Sequence, residues 1–282
     1  MASVLALAGL GKDYGERRAV DAVDLEIEAG TITGLLGPNG AGKTTTISMA
    51  SGVVTPTRGT ALVDGHDVWK QPRLAKRALG LVPQELALYD ELTARQNLRY
   101  FGRIYGLGGP ELASRIDWAL GVAGLSDRAS ESVSQFSGGM KRRLNLAAGV
   151  LHKPKLLILD EPTVGVDPQS RNHVFETVKT LRDEGMTVLY TSHYMEEVEM
   201  LCDCVAIMDH GKLIAAGTID ELVATHGGKG LDIEIEGDLE AARAAAIAAI
   251  EGTGATVKAI SARRGNLEGV FLALTGKALR DE

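Results

Sequence analysis

Eight consecutive residues, Gly37-Pro38-Asn39-Gly40-Ala41-Gly42-Lys43-Thr44, combine a glycine-rich turn, a lysine and a hydroxyl at the spacing of a phosphate-binding loop. The glycines let successive backbone N–H groups converge on the β- and γ-phosphates of a nucleotide with no Cβ in the way. Lys43 adds a point charge to those phosphates, and the Thr44 hydroxyl is placed to ligand Mg²⁺. A β-type run, Thr31 to Leu36, leads into the loop. The run Thr44-Thr45-Thr46-Ile47-Ser48-Met49 can turn helical after it, which adds Thr45 to the stretch expected to touch nucleotide. A helix starting near Gly42 would aim its positive N-terminal end at the anion.

A second cluster of chemistry lies at Leu156-Leu157-Ile158-Leu159-Asp160-Glu161, a short apolar run that ends in two carboxylates. Such a run fits a buried parallel strand, and ligands in open α/β sheets sit at the carboxyl ends of strands. Asp160 is therefore expected in the Mg²⁺ shell. Glu161, one residue on, points elsewhere. It is the candidate general base for an attacking water, against the alternative of a surface carboxylate at a strand end. The guanine-reading sequence Asn-Lys-x-Asp does not occur, which favours adenine and hence ATP. A second anion site precedes this strand. Ser137-Gly138-Gly139 stands ahead of a long helical pattern and offers a hydroxyl and bare backbone amides. One chain thus holds two phosphate-binding elements of different kinds, an arrangement that makes sense if two chains share each nucleotide.

These motifs resemble the ATP-binding subunit of ABC transporters. The stretch Phe136-Ser137-Gly138-Gly139-Met140 is similar to that family's signature, usually Leu-Ser-Gly-Gly-Gln. The resemblance implies a role for four further residues. Tyr14 would stack on adenine. Gln84, in Leu81-Val82-Pro83-Gln84-Glu85, would touch Mg²⁺ and water and report to a membrane partner. Asp167, in Val164-Gly165-Val166-Asp167, matches the loop that follows the Asp160–Glu161 pair. His193, in Thr191-Ser192-His193, would contact the γ-phosphate. It covers about residues 3 to 225. Met140 in place of Gln loses a hydrogen-bonding amide but keeps a flexible apolar chain. Met at this position is similar to the drug-exporter, daunorubicin-resistance-like branch. The expected assembly is a homodimer formed on ATP binding, with a separate integral-membrane permease.

The elements that must position these residues follow from the patterning. Strand-like and turn-like runs alternate from residue 3 to 82, as in the turn Thr55 to Thr60, the strand-like Ala61-Leu62-Val63 and the turn at Asp64-Gly65. From about 85 to 150 the pattern is helical, with Thr93 as a cap and Leu98 and Phe101 on one face. Alternation returns from Leu156 to about Leu222. The fold class expected is α/β, a P-loop NTPase core with a mixed sheet, a helical subdomain over about 85–150 and a small α+β extension. Domains are drawn at 1–225 and 226–282, on either side of Gly227-Gly228-Lys229-Gly230. The extension alternates over Leu231–Glu236, turns Ala-rich after Asp238, is strand-like again over Thr256–Ile260, and ends in an apolar helix face at residues 267, 270, 271 and 274. It reads either as a dimer or partner contact or as a stabilising appendage.

Composition bounds the rest. With 282 residues, 45% of them apolar and 24% charged, the chain can bury a large core. A net charge of −7 argues against a nucleic-acid partner, whose phosphates demand a basic surface. The basic run Lys141-Arg142-Arg143 reads as a solvated helix face. No apolar run approaches the ~18 residues that span a bilayer. Cys202 and Cys204, two apart in a strand-like run, read as small buried hydrophobes, too few ligands for zinc. The expected location is the cytoplasmic face of the membrane, held there by the permease. An ABC ATPase of translation would carry two cassettes and one of chromosome work a long coiled coil, and neither feature is in this sequence. A dead P-loop module would not keep Lys43, Asp160, Glu161 and His193.

Overall fold

Two sheets organise the chain, and the reason lies in which strands are apolar on one face and which on both. The computed structural model describes residues 3–226, together with 245, 247–249 and 252. One compact unit runs up to Ile219 and a second begins at Asp220. The elements expected at 231–236, 256–260 and 266–274 lie outside the described residues; within the Ala-rich run, positions 245 and 247–249 are helical.

The first sheet is antiparallel. It contains β1 (Ser3–Tyr14), β2 (Arg17–Glu28), β4 (Arg58–Val63) and β5 (His66–Asp67), in the order β2-β1-β4-β5. Along β2, residues Val23 to Ile27 alternate buried and exposed, as one-sided burial requires. Asp64 and Gly65 both take positive φ, the conformation a tight two-residue hairpin needs between β4 and β5. The second sheet holds β3 (Ile32–Leu36), β6 (Leu79–Val82), β7 (Leu156–Asp160), β8 (Thr187–Ser192), β9 (Cys204–Asp209) and β10 (Lys212–Thr218). Its order is β10-β9-β3-β8-β7-β6, with every pair from β9 to β6 parallel and β10 antiparallel at the edge. Strands β3, β7 and β8 are buried at every position, the mark of a sheet covered on both faces. The mixed sheet expected from the sequence is this one; the separate antiparallel sheet was not distinguished there, because sequence patterning marks strands without saying which strands pair.

Helix α1 (Lys43–Ala50) follows β3, and its Ile47, Met49 and Ala50 join one apolar core with Leu5, Leu7 and Leu10 of β1 and Leu35, Ile158 and Leu189 of the central strands. That core fixes the start of α1, and with it the phosphate-binding loop. After α2 (Pro72–Arg77) and β6, the chain turns helical as expected: α3 (Ala94–Ile104), α4 (Gly109–Val122) and α5 (Gly138–Val150). Thr93 caps α3 in a reciprocal box with Gln96, each side chain bonding the other's backbone N–H. Leu98, Ile116, Leu120, Leu144 and Leu151 form this segment's own core, with Phe101 packed against it. Phe136 fills the same core and Met140 packs on it, so both signature departures serve as apolar filler. Helices α6 (Pro168–Asp183), α7 (Met195–Leu201) and α8 (Ile219–His226) follow, as far as His226. Cys202 is buried at the end of α7 rather than in a strand, and Cys204 opens β9 half-buried, so the two thiols do not share one strand face. Among the described residues, no helix is long and apolar enough to cross a membrane.

Candidate functional site

The phosphate-binding loop is bent so that side chains at two of its turns are excluded. Gly42 caps α1 at φ 103°, a conformation L side chains rarely adopt. A Cβ there would also meet the Ala19 carbonyl at 2.9 Å. A Cβ at Gly37 would collide with the backbone carbonyl of Met208 on β9. The loop is therefore pressed against β2 of the first sheet and β9 of the second. Residues Pro38 to Thr45 line a cleft of about 380 Å³ together with Gln84, Glu161, Arg17, Arg18, His210 and Gly211. Arg17, Arg18 and Lys43 give this cleft a positive character suited to a polyanion.

Lys43 is 5% exposed and its ammonium donates to the carbonyls of Gly37 (2.7 Å) and Pro38 (3.3 Å). Its Nζ stands 3.4 Å from Glu161 Oε1. Burial pushes the lysine below its ordinary pKa, and the Glu161 and Asp160 carboxylates oppose that shift. Glu161 sits just past β7 at φ 45°, a left-handed conformation that costs a non-glycine residue about 1–3 kcal/mol. Strain of this kind collects where a side chain must be aimed. Glu161 Oε1 also lies 3.4 Å from His193 Nδ1, out of hydrogen-bond alignment, and Nδ1 is buried without another partner. The cluster Lys43–Glu161–His193 thus meets at one carboxylate oxygen above the loop.

Asp160 ends β7 and is 6% exposed. Burial raises its pKa; the Thr191 hydroxyl pulls the other way, Glu161 raises it further, and Lys43 and the Thr44 hydroxyl lower it. The Thr44 hydroxyl and the Asp160 carboxyl therefore converge, as the metal role expected of both would require. An oxygen set of hydroxyl, carboxylate and the Gln84 amide suits a hard cation such as Mg²⁺. Among the described residues no group of three His, Cys, Asp or Glu gathers to hold a metal alone. Mg²⁺ bound here would take its remaining oxygens from phosphate and water, as Mg²⁺ prefers.

Not every expected residue joins this cleft. Tyr14 ends β1, half exposed, with Lys12 Nζ 5.1 Å from its ring centroid, and does not line the cleft. Ser137 caps α5 by accepting the Met140 N–H at 3.3 Å. Gly138 and Gly139 begin that helix, and none of the three lines the cleft. Asp167 caps α6 through the Ser170 N–H at 2.9 Å. A Cβ added to Gly139 would run into Ser170 and lie 3.3 Å from Asp167 Oδ2, so the starts of α5 and α6 pack on each other.

Two site residues were not legible in the sequence. Thr191, fully buried, pairs in register with Asp160 across β7 and β8. Its hydroxyl donates to Asp160 Oδ1 and accepts the Glu161 N–H, both at 2.8 Å. The only sequence signal is three hydroxyl side chains, Tyr190-Thr191-Ser192, ending an apolar strand. Arg142, expected on a solvated face, is 7% exposed. It donates to the carbonyls of Gln84 (2.7 Å), Pro83 (3.4 Å) and Val164 (3.4 Å) and so ties α5 to the Gln84 loop and to the loop after Glu161. Lys141 instead pairs with Asp90, and Arg143 caps the Ala123 carbonyl, so the basic run is spent on internal contacts.

A parallel sheet with a glycine-rich loop at the end of β3, a helix N-terminus behind it and carboxylates at the end of the neighbouring-but-one strand define a P-loop nucleoside triphosphatase. Residues 20–164 match the family described as ABC transporter. The chain is 43% identical to the linearmycin resistance ATP-binding protein LnrL of Bacillus subtilis (strain 168), over 99% of this chain and all of the relative. It is 42% identical to the daunorubicin resistance ATP-binding protein DrrA3 of Streptomyces coeruleorubidus, over 90% of this chain and 80% of that one. It is 39% identical to the Nod factor export ATP-binding protein I of Cupriavidus metallidurans over the whole of both chains. A solved ATP-binding subunit of an ABC transporter superposes with a TM-score of 0.72 at 30% identity, covering 79% of this chain and 93% of that one. The protein belongs to the ABC transporter family as an ATP-binding subunit, an ATPase.

Proposed function

We propose that this subunit hydrolyses ATP with Mg²⁺ to drive export through a separate membrane permease, working as a head-to-tail homodimer at the cytoplasmic face of the membrane. The cargo class in this reading is a drug, lipid or polysaccharide, and the relatives' names, which give linearmycin resistance, daunorubicin resistance and Nod factor export, support an exported cargo of the drug kind. In this reading Lys43 and the loop amides from Gly37 to Thr45 hold the β- and γ-phosphates. Thr44, Asp160 and Gln84 hold Mg²⁺, which would neutralise developing charge on the phosphates. Glu161 takes the proton of the attacking water, His193 contacts the γ-phosphate beside it, and Tyr14 stacks on adenine. Most of the rate comes from positioning and electrostatics, since phosphoryl transfer leaves little covalent work to the protein. The division into a nucleotide-binding domain of residues 1–225 and an extension of 226–282 belongs to the same reading.

One observation carries the dimer. The cleft gathers Lys43, Gln84 and Glu161, whereas Ser137, Gly138 and Gly139 stand at another helix start outside it. Two anion-binding elements in one chain that do not face one cleft are used together when a second, self-complementary copy supplies the other half. The test mixes Lys43→Ala chains with Ser137→Arg chains, both carrying Glu161→Gln to block turnover. In a mixed dimer both lesions fall on one composite site and leave the other intact. Each variant alone should stay monomeric with ATP, while the mixture dimerises. Dimers formed by each variant alone, as readily as by chains intact at Lys43 and Ser137, would refute the shared site.

A further inference from the structure

Glu197 lies on α7, four residues past His193, and is 3% exposed. Its Oε2 accepts three hydroxyl hydrogen bonds, from Ser192 (2.8 Å), Thr163 (2.9 Å) and Tyr190 (2.9 Å). Its partners among the described residues are these hydroxyls and no cation. A buried carboxylate without a counter-charge is costly, and bonds that converge on an ionised oxygen are the strong kind that offset such a cost.

The three donors are not scattered. Thr163 lies two residues past Glu161, in a turn closed by the Val164 N–H to the Glu161 carbonyl and the Val166 N–H to the Thr163 carbonyl. Ser192 immediately precedes His193, and its Oγ also accepts the Tyr194 N–H at 3.0 Å, closing a turn around the histidine. Tyr190 belongs to β8, the same strand that ends at Ser192 and the neighbour of β7, and burial pushes its phenol well above its ordinary pKa, so it stays a neutral donor. One carboxylate oxygen therefore joins the two turns that carry Glu161 and His193.

We propose that Glu197 is a positioning residue for ATP hydrolysis, clamping the Glu161–Thr163 turn to the Ser192–Tyr194 turn and so setting how Glu161 and His193 face the γ-phosphate. The inference rests on the reading of Glu161 as base and His193 as phosphate contact. Neither group touches Glu197, which acts only through Thr163 and Ser192. A clamp at this place matters because misplacing a reacting group by about 1 Å can cost about 10²-fold in rate.

The test uses the purified full chain, with ATPase kinetics and nucleotide affinity measured side by side. Thr163→Val and Ser192→Ala each remove one donor and leave the carboxylate. Each should lower kcat by about 5- to 20-fold with KM and ATP affinity within about twofold, the pattern of lost transition-state positioning. Glu197→Gln keeps an acceptor oxygen in place and should rescue kcat to within about threefold of wild type. Glu197→Leu, which keeps none, should lose about 30-fold or more. Should Glu197→Leu fail to fold, the two donor variants and Glu197→Gln decide. The proposal is overturned if both donor variants keep wild-type kcat, or if affinity falls in step with kcat and Glu197→Gln is no better than Glu197→Leu. Glu161→Gln is assayed alongside. If that variant still hydrolyses ATP, the underlying reading of the site is wrong; if it is inactive while every clamp variant turns over normally, only the clamp is.

Discussion

Replacing Thr191 by valine tests the strand-end geometry with almost no change of shape. The hydroxyl is fully buried and makes two bonds at 2.8 Å, donating to Asp160 Oδ1 and accepting the Glu161 N–H. Valine strands the Glu161 amide, at a cost of about 1–3 kcal/mol for an unsatisfied buried donor, and strips a charge-assisted bond worth about 1.5–3 kcal/mol from Asp160. Because one hydroxyl serves both, the terms overlap, and the expected loss is about 2–4 kcal/mol. For the folded unit that carries the sheet, this is a fall in Tm of about 4–16 °C. Thr191→Ser keeps the hydroxyl and should lose less than about 1.5 kcal/mol. The assay is scanning calorimetry without nucleotide, paired with ATPase rates. A Thr191→Val protein within about 0.5 kcal/mol of wild type would mean that the Thr191 bonds carry no net stability and that Thr191 does not hold the left-handed Glu161 in place.

Three more outcomes are expected. Tyr14→Ala should weaken ATP binding by about 1–3 kcal/mol, the scale of aromatic–base stacking, while Tyr14→Trp retains it; equal affinities in a fluorescent-nucleotide titration would remove Tyr14 from the site. Gly37→Ala would force a methyl against the Met208 carbonyl and displace the loop, so nucleotide affinity should drop at least about tenfold even though alanine is the smallest side chain available. Acidification should weaken Mg²⁺ binding to the nucleotide-free protein at a higher pH than an ordinary carboxylate would, because burial raises the pKa of the metal-free Asp160 and the protonated acid is a poor metal ligand. The sign for stability is the reverse. A carboxyl raised in the folded state stabilises it below 3.8, and that contribution is lost as pH rises through the folded value. Thr191→Val removes a bond that lowers this pKa, so the pH at which Mg²⁺ affinity falls should move further up; an unmoved midpoint in Mg²⁺ titrations across pH contradicts the assignment.

Much of the site is written locally. The loop from Gly37 to Thr44, the apolar run ending at Asp160-Glu161, the Thr93–Gln96 box and the serine cap at Ser137 are each set within a few residues, so their backbone roles follow from residue type and spacing alone. The α/β class followed for the same reason, since strands buried on both faces must be apolar throughout. Tertiary structure decided what no local rule reaches. Thr191 became the partner of Asp160 and Glu161 only because β8 lies beside β7 in register, joining residues 30 and 31 apart in the chain. Arg142 left its expected solvated face because the carbonyls of Pro83, Gln84 and Val164 turn inward at that point and need a donor. Glu197, an unremarkable glutamate in an acidic helix, gained its role from three hydroxyls brought to one oxygen by strand order. Hydrogen bonds between distant segments depend on which strands are neighbours, and that order is set by the packing of the whole core rather than by any single stretch of sequence.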